Sequence, residues 1–424
     1  MRALSVEQVE AQEQCAALCV GQLRCLLPSQ QPLHELLPCA QPLDLARAAY
    51  SLFRLKVYDK ELMECVVVAS WGQLSSFQVD SLAGLGAALG GLGHVPPAQW
   101  LDRYCLETYT RFPRFNAQDI ANISFGLARL GHQPSAAWLE KAQRHFREVI
   151  PVSGGNPPSF IKLAWALAHW EVRPSFNWML FFMGEARRRM DMFTFRELAT
   201  LLWACHKMGH TPEPLWLEGW FRVATRTLPT CPAPSLVLAL HTLVQMAADP
   251  SAPQREHLLP GKLLTALLPR SQVCLRAMVA REQVQLLWSL VSLRVKPPED
   301  WMDAYLEAAE SVGVMSLNPG ELADAAWAFA QLRFQPSEVW EQQAAKVATQ
   351  QLPLFSPAQL GMLLWSWRAM QLPVPIEWQK HFEMGAQGVY PEKEIQTLLG
   401  RPASGPKTGR VFEATPAAAG RHGQ

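Results

Sequence analysis

Three pairs of residues spaced seven apart carry the most suggestive chemistry in this chain: Asn122 with Arg129, Lys162 with His169, and Thr200 with Lys207. Seven residues are two helical turns, so on a helix each pair shares a face. A short amide or hydroxyl can hydrogen-bond a base edge, and a cation two turns along can neutralise a phosphate. The two registers recur along the sequence. The first reads Arg47, Gly84, Asn122, Lys162, Thr200, Ser235, Gln285, Asp324 and Met362. The second reads Arg54, Gly91, Arg129, His169, Lys207, Thr242, Ser292, Gln331 and Ala369, and is richer in basic groups. Between them runs a third register: Tyr50, Ala87, Phe125, Trp165, Trp203, Leu238, Trp288, Trp327 and Trp365. Its tryptophans could act as stacking platforms for unpaired bases, each worth roughly 1–3 kcal/mol.

Each register has a blander reading. The polar positions could be a solvated face whose sequence drifts. Such a face usually holds many Lys and Glu, whereas this one holds Asn, Ser, Thr, Gln and Asp, which suits hydrogen bonding to bases. The aromatic register could pack between neighbouring helices. The residue after it is almost always Ser, Ala or Gly (Ser51, Ala88, Gly126, Ala166, Ala204, Ser289, Ala328, Ser366), which permits close helix approach and favours packing.

The elements that position these residues follow from a second set of tryptophans. Trp100, Trp138, Trp178, Trp216, Trp301, Trp340 and Trp378 are separated by 38, 40, 38, 85, 39 and 38 residues. A period in this range marks a solenoid, and the gap of 85 hides one degenerate repeat with an insertion near 249–257. Helix starts recur with the period. Asn318 with Glu321, Ser356 with Gln359, Thr194 with Glu197 and Asn116 with Asp119 each fit a capping box. Gly93, Gly131 and Gly209 fit C-terminal caps of these first helices, here called A. A proline four residues before the tryptophan (Pro96, Pro134, Pro174, Pro212, Pro297, Pro336) predicts the first turn of a second helix, B. With the aromatic register at zero, positions −5, −2, +2 and +5 are apolar and form the face packed on helix B. The polar registers at −3 and +4 fall on the opposite side, at about 60° and 40°.

The predicted architecture is therefore all-α: a right-handed αα-solenoid of about nine 38-residue repeats over residues 41–400. Residues 1–40 are expected to form an N-terminal cap, residues 390–400 a closing half-repeat, and the Gly/Pro-rich residues 401–424 a disordered tail.

Composition removes several function classes. The chain has 424 residues, 49% of them hydrophobic, with a formal net charge of +1, which argues against coating nucleic acid by sheer charge. Nine cysteines are scattered without a C-x-x-C, so they read as thiols in a reducing compartment rather than as zinc ligands. No apolar run reaches the ~18 residues needed to cross a bilayer. There is no G-x-x-x-x-G-K-[ST] and no H-E-x-x-H, so no catalytic residues, metal or cofactor are expected. Arg187, Arg188 and Arg189 form a basic run in a B helix, either a solvated face or a phosphate contact. Glu7, Glu10 and Glu13 do not fit a transit peptide. Either the protein is not imported or the sequence begins downstream of its natural start.

The segments LLWACHKMGHTPEPLW (201–216), LLWSLVSLRVKPPEDW (286–301) and ARLGHQPSAAW (128–138) resemble the octotricopeptide repeat family. The likeness recurs over roughly residues 41–400. It implies paired-helix repeats that wrap single-stranded RNA in chloroplasts or mitochondria, acting on transcript stability, processing or translation, with RNA-processing or ribosomal proteins as further partners. The related FAST-kinase-like proteins often end in a RAP domain, which the short tail here cannot form. On this reading Arg47, Asn122, Lys162, Thr200, Ser235, Gln285, Asp324, Arg54, Arg129, His169, Lys207 and Gln331 are the candidate RNA contacts. The competing function is a protein–protein scaffold, which the net charge and the apolar Met362 would fit.

Overall fold

The computed structural model describes residues 40–153, 155–248 and 261–386. The expected N-terminal segment up to residue 39, the insertion at 249–257, the closing half-repeat and the tail lie outside them.

Among the described residues there are eighteen α-helices, short 3-10 turns and no strand. The helices pair into nine αα-hairpins, as the period predicts. The A helices are α1 (Pro42–Leu55), α3 (Val79–Leu92), α5 (Ala117–Arg129), α7 (Pro157–His169), α9 (Phe195–Lys207), α11 (Ala233–Ala248), α13 (Ala280–Ser292), α15 (Pro319–Leu332) and α17 (Pro357–Ala369). The B helices are α2 (Lys60–Trp71), α4 (Ala98–Arg111), α6 (Ala136–Ser153), α8 (Phe176–Arg188), α10 (Pro214–Thr227), α12 (Gly261–Cys274), α14 (Glu299–Val312), α16 (Glu338–Gln350) and α18 (Ile376–Ala386).

Local chemistry sets both ends of helix A. All four capping boxes form: the backbone N–H groups of Asn116, Thr194, Asn318 and Ser356 donate to Asp119, Glu197, Glu321 and Gln359, whose own N–H groups donate back to the cap side chains. At the other end the chain turns through a left-handed residue. Gly93, Gly131 and Gly209 supply it at φ of 72, 70 and 73°, whereas Lys56, Glu171, Arg294, Arg333 and Gln371 occupy the same place with a side chain, at a small steric cost.

The proline before helix B is shifted from its predicted place. It lies one residue ahead of the N-cap, outside the helix. Ser135, Ser175 and Ser337 cap the first turn by accepting from the N–H of Trp138, Trp178 and Trp340. The tryptophan is thereby the third helical residue.

The chain divides into two compact units, one of residues 1–193 and 200–220, the other of 194–199 and 221–424. In the first, α1, α3, α5 and α7 pack successively as one layer, and α4, α6 and α8 as a second. In the other, α11, α13, α15 and α17 form one layer and α12, α14 and α16 the second. The core lies between the layers. The predicted inward face of α5 (Ile120, Ile123, Leu127, Leu130) is wholly buried, and so are Leu322, Ala325 and Phe329 of α15.

The seven B-helix tryptophans are at most 5% exposed. Burying an indole leaves its N–H in need of an acceptor. Six of the seven find it on the B helix one repeat earlier. Trp100, Trp138, Trp301 and Trp378 donate to the hydroxyls of Ser70, Thr108, Ser271 and Thr349 at 2.9–3.1 Å, and Trp178 and Trp216 to the carbonyls of Gln143 and Met183. The Ser70, Thr108 and Ser271 hydroxyls pass their own protons to a carbonyl three residues back.

Two stability measurements test this core. Trp340→Ala is expected to cost roughly 3–5 kcal/mol, as loss of a core aromatic does; an unchanged melting temperature would show that the indole anchors nothing. Thr108→Val keeps the shape but strands the Trp138 N–H, and is expected to cost about 1–3 kcal/mol. Thr108→Ser, which retains the acceptor, is expected to lose less than the valine variant.

Candidate nucleic-acid interface

The outward face of each A helix carries the −3, zero and +4 registers, and its shape is set by how the A helices pack. Small residues let them approach closely. A Cβ on Gly126 would overlap the Gly86 carbonyl, and one on Gly90 would overlap backbone atoms of Gly126. Such contact leaves no depth in which to sink a large side chain on the outer face. Phe125, Trp165, Trp203, Trp288, Trp327 and Trp365 are half-buried, with part of each ring at the surface, and Tyr50 is exposed. Both readings of this register hold in part: the rings pack along the seams and still present surface.

Neighbouring rings touch. Phe125 meets Trp165 at 5.1 Å, and His241 meets Trp288 at 5.5 Å. His169 lies parallel to Trp165 at 5.0 Å, covering one face of that indole. The base-stacking place on that side of Trp165 is thus already filled by a residue expected to contact phosphate.

The −3 register is linked across repeats three and four. Lys162 donates from Nζ to Asn122 Oδ1 at 2.6 Å, Gln118 donates from Nε2 to the same oxygen at 2.9 Å, and Ser159 donates from Oγ to Gln118 Oε1 at 3.1 Å. This ladder joins α5 to α7. Burial pulls the Lys162 ammonium below its usual pKa, and its Nζ lies 5.9 Å over the Phe125 ring. Asn122 spends its carbonyl oxygen on the ladder. Among the described residues nothing accepts from its Nδ2, so the face it offers is a donor face. Arg129 is exposed and reaches the Gly90 carbonyl only at 3.4 Å.

The remaining positions divide sharply. Arg47, Arg54, His169, Lys207 and Gln331 are exposed, and Thr200, Gln285 and Asp324 half-buried. Ser235 is 7% exposed and Thr242 fully buried, its hydroxyl bonded back to Leu238 O, so repeat six does not present the contact expected of Ser235. Its A helix is mostly apolar, and the polar groups it leaves part-exposed are His241 and Gln245, bonded to each other at 3.0 Å. The arginine run of α8 is also largely occupied: Glu185, itself buried, pairs with Arg188 at 2.5 Å and Arg189 at 2.6 Å. Arg189 is largely buried in that pair, whereas the Arg188 side chain remains 76% exposed. Among the described residues no cluster of His, Cys, Asp and Glu could hold a metal, and no helix is long and apolar enough to cross a membrane.

Sequence reasoning missed Gln118 and Ser159. Gln118 sits seven before Phe125, on the outward face, so the signal was present as an extra turn of the same stripe. The indole acceptors were also legible, as hydroxyl residues 29 or 30 positions before Trp100, Trp138, Trp301 and Trp378.

Comparison with protein-family models and with curated proteins finds no match to this chain. What the fold itself defines is an all-α helical-repeat protein of the paired-helix kind.

Asp324 supplies a test of this face that is independent of any ligand. Burial, helped by the nearby Glu321 charge, pushes its carboxyl up to about 7. The folded chain therefore holds a proton that the unfolded chain releases near its ordinary value of about 4. The unfolded state binds fewer protons between these values, so stability falls as pH rises from about 4 to about 7. Asp324→Asn is expected to melt with the parent at about pH 4 and above it at about pH 8. A melting difference independent of pH would sink this assignment.

Proposed function

We propose that the outward A-helix face binds single-stranded RNA and that the protein acts as a binding protein, not an enzyme, in post-transcriptional handling of transcripts. The observation that carries this reading is the coincidence, on one face, of partly exposed aromatic rings with exposed cations and amide groups. Rings stack on any base, amides read base edges, and cations track the backbone. The resemblance to organellar RNA-binding repeat proteins supports the same reading. It makes a chloroplast or mitochondrion the proposed compartment, and transcript stability, processing or translation the proposed step. RNA-processing or ribosomal proteins would be further partners.

The two polar registers are expected to fail differently. Asn122→Ala removes amide donors and should cost roughly 1–3 kcal/mol for one preferred base only. Arg129→Ala should weaken all RNAs about equally and flatten the salt dependence by about one phosphate contact. The check is a binding titration against a selected RNA and its single-base variants at several salt concentrations. Two folded variants that bind like the parent would reject this face. Binding indifferent to salt, together with capture of a defined protein, would favour a scaffold.

A further inference from the structure

The outward face is not uniform along the chain, although the net charge of +1 hides this. In repeats one to five the −3 and +4 registers hold Arg47, Arg54, Arg129, Lys162, His169 and Lys207, and no carboxylate. All of these lie in the first compact unit. Five are exposed and Lys162 is half-buried. In repeats six to nine the same registers hold no cation. Ser235 and Thr242 are buried, Gln285, Ser292 and Gln331 are neutral, Met362 and Ala369 are apolar, and Asp324 is an acid.

Flanking charges do not restore the balance. Arg281, at the start of α13, pairs with Glu321 at 3.3 Å. Arg368, on the adjoining stripe of α17, is half-buried with Nη1 sealed from the surface. In the first unit the flanking acids are Asp80, which accepts from the Ser81 N–H at 2.8 Å, and Asp44 in the first turn of α1. Cations in the turns, such as Lys56 and Arg173 in one unit and Arg294, Lys296 and Arg333 in the other, occur in both and discriminate nothing.

We infer that the RNA backbone is held by the A-helix face of repeats one to five alone, and that the outward face of repeats six to nine makes no phosphate contact. The inference rests on the RNA-binding reading above. Its physical basis is counterion release. Only cations displace the ions condensed on a nucleic-acid strand, at a slope of about 0.7 per phosphate for single strands. Neutral amides form hydrogen bonds but contribute nothing to that slope.

The experiment uses the full chain and a labelled oligouridylate. Arg47→Gln, Arg54→Gln, Arg129→Gln and Lys207→Gln are each expected to weaken binding several-fold and to lower the salt slope by about 0.7. Gln285→Ala and Gln331→Ala should leave the slope unchanged. Arginine-directed modification of the unaltered protein with phenylglyoxal, with and without the RNA and read by peptide mass spectrometry, should show Arg47, Arg54 and Arg129 protected by RNA and Arg281, Arg294 and Arg333 unprotected. This arm needs no variant to fold. RNA protection of arginines within 221–386, or a slope indifferent to the four basic positions while binding persists, would overturn the inference and leave RNA binding standing. An unaltered protein that does not bind the RNA at any salt would instead remove the RNA-binding reading, and this inference with it.

Discussion

The buried indole N–H is the constraint on which the rest of the structure depends. A tryptophan placed in the first turn of helix B fills the space between layers, but its N–H cannot be left dry. The acceptor comes from the preceding repeat's B helix in six of the seven cases described, as with Trp138 on Thr108 and Trp301 on Ser271. A repeat therefore completes its hydrogen bonding only when a neighbour is present. Hydrophobic burial alone would permit many relative placements of two hairpins. A donor that meets a hydroxyl or carbonyl of the preceding B helix narrows the rotation and rise between them.

That rise decides what the A helices can do. They are brought close enough that Gly86, Gly90 and Gly126 are in near backbone contact, so bulk must go outward or inward but not between. Inward lies the apolar core. Outward lies the aromatic register, whose rings settle into the shallow seams and remain partly visible. The same spacing lets polar side chains of successive repeats reach each other, and the Ser159–Gln118–Asn122–Lys162 ladder is the result. A binding face of this kind is preorganised. Lys162 and Asn122 hold one another in place, and His169 is fixed against Trp165, before any ligand arrives.

Charge is distributed on this face independently of packing. The inward positions are constrained by volume and agree between repeats, whereas most −3 and +4 positions reach the surface and differ unit by unit; Gly91, where a Cβ would overlap the Phe53 ring, is an exception set by packing. Repeat six shows the limit of that freedom. Its A helix is so apolar that Ser235 and Thr242 are drawn under the surface, and the polar register is interrupted there.

The amino-acid sequence by itself determined the helices, their pairing into nine hairpins, the capping boxes and the buried status of the B-helix tryptophans. These follow from interactions between residues a few positions apart, or from a period that needs only counting. It also placed the polar and aromatic registers on one helix face, because helical geometry is the same in every repeat. Tertiary structure alone decided which partners those residues take. Asn122 and Arg129 share a helix face, yet Asn122 bonds to Lys162, forty residues away, because the neighbouring helix lies nearer than two turns along its own. The pairing of Arg188 and Arg189 with Glu185 and the covering of Trp165 by His169 join residues three or four apart, which helical spacing already brings together. The retreat of Ser235 depends on burial, a quantity that the spacing of residues along a chain does not carry.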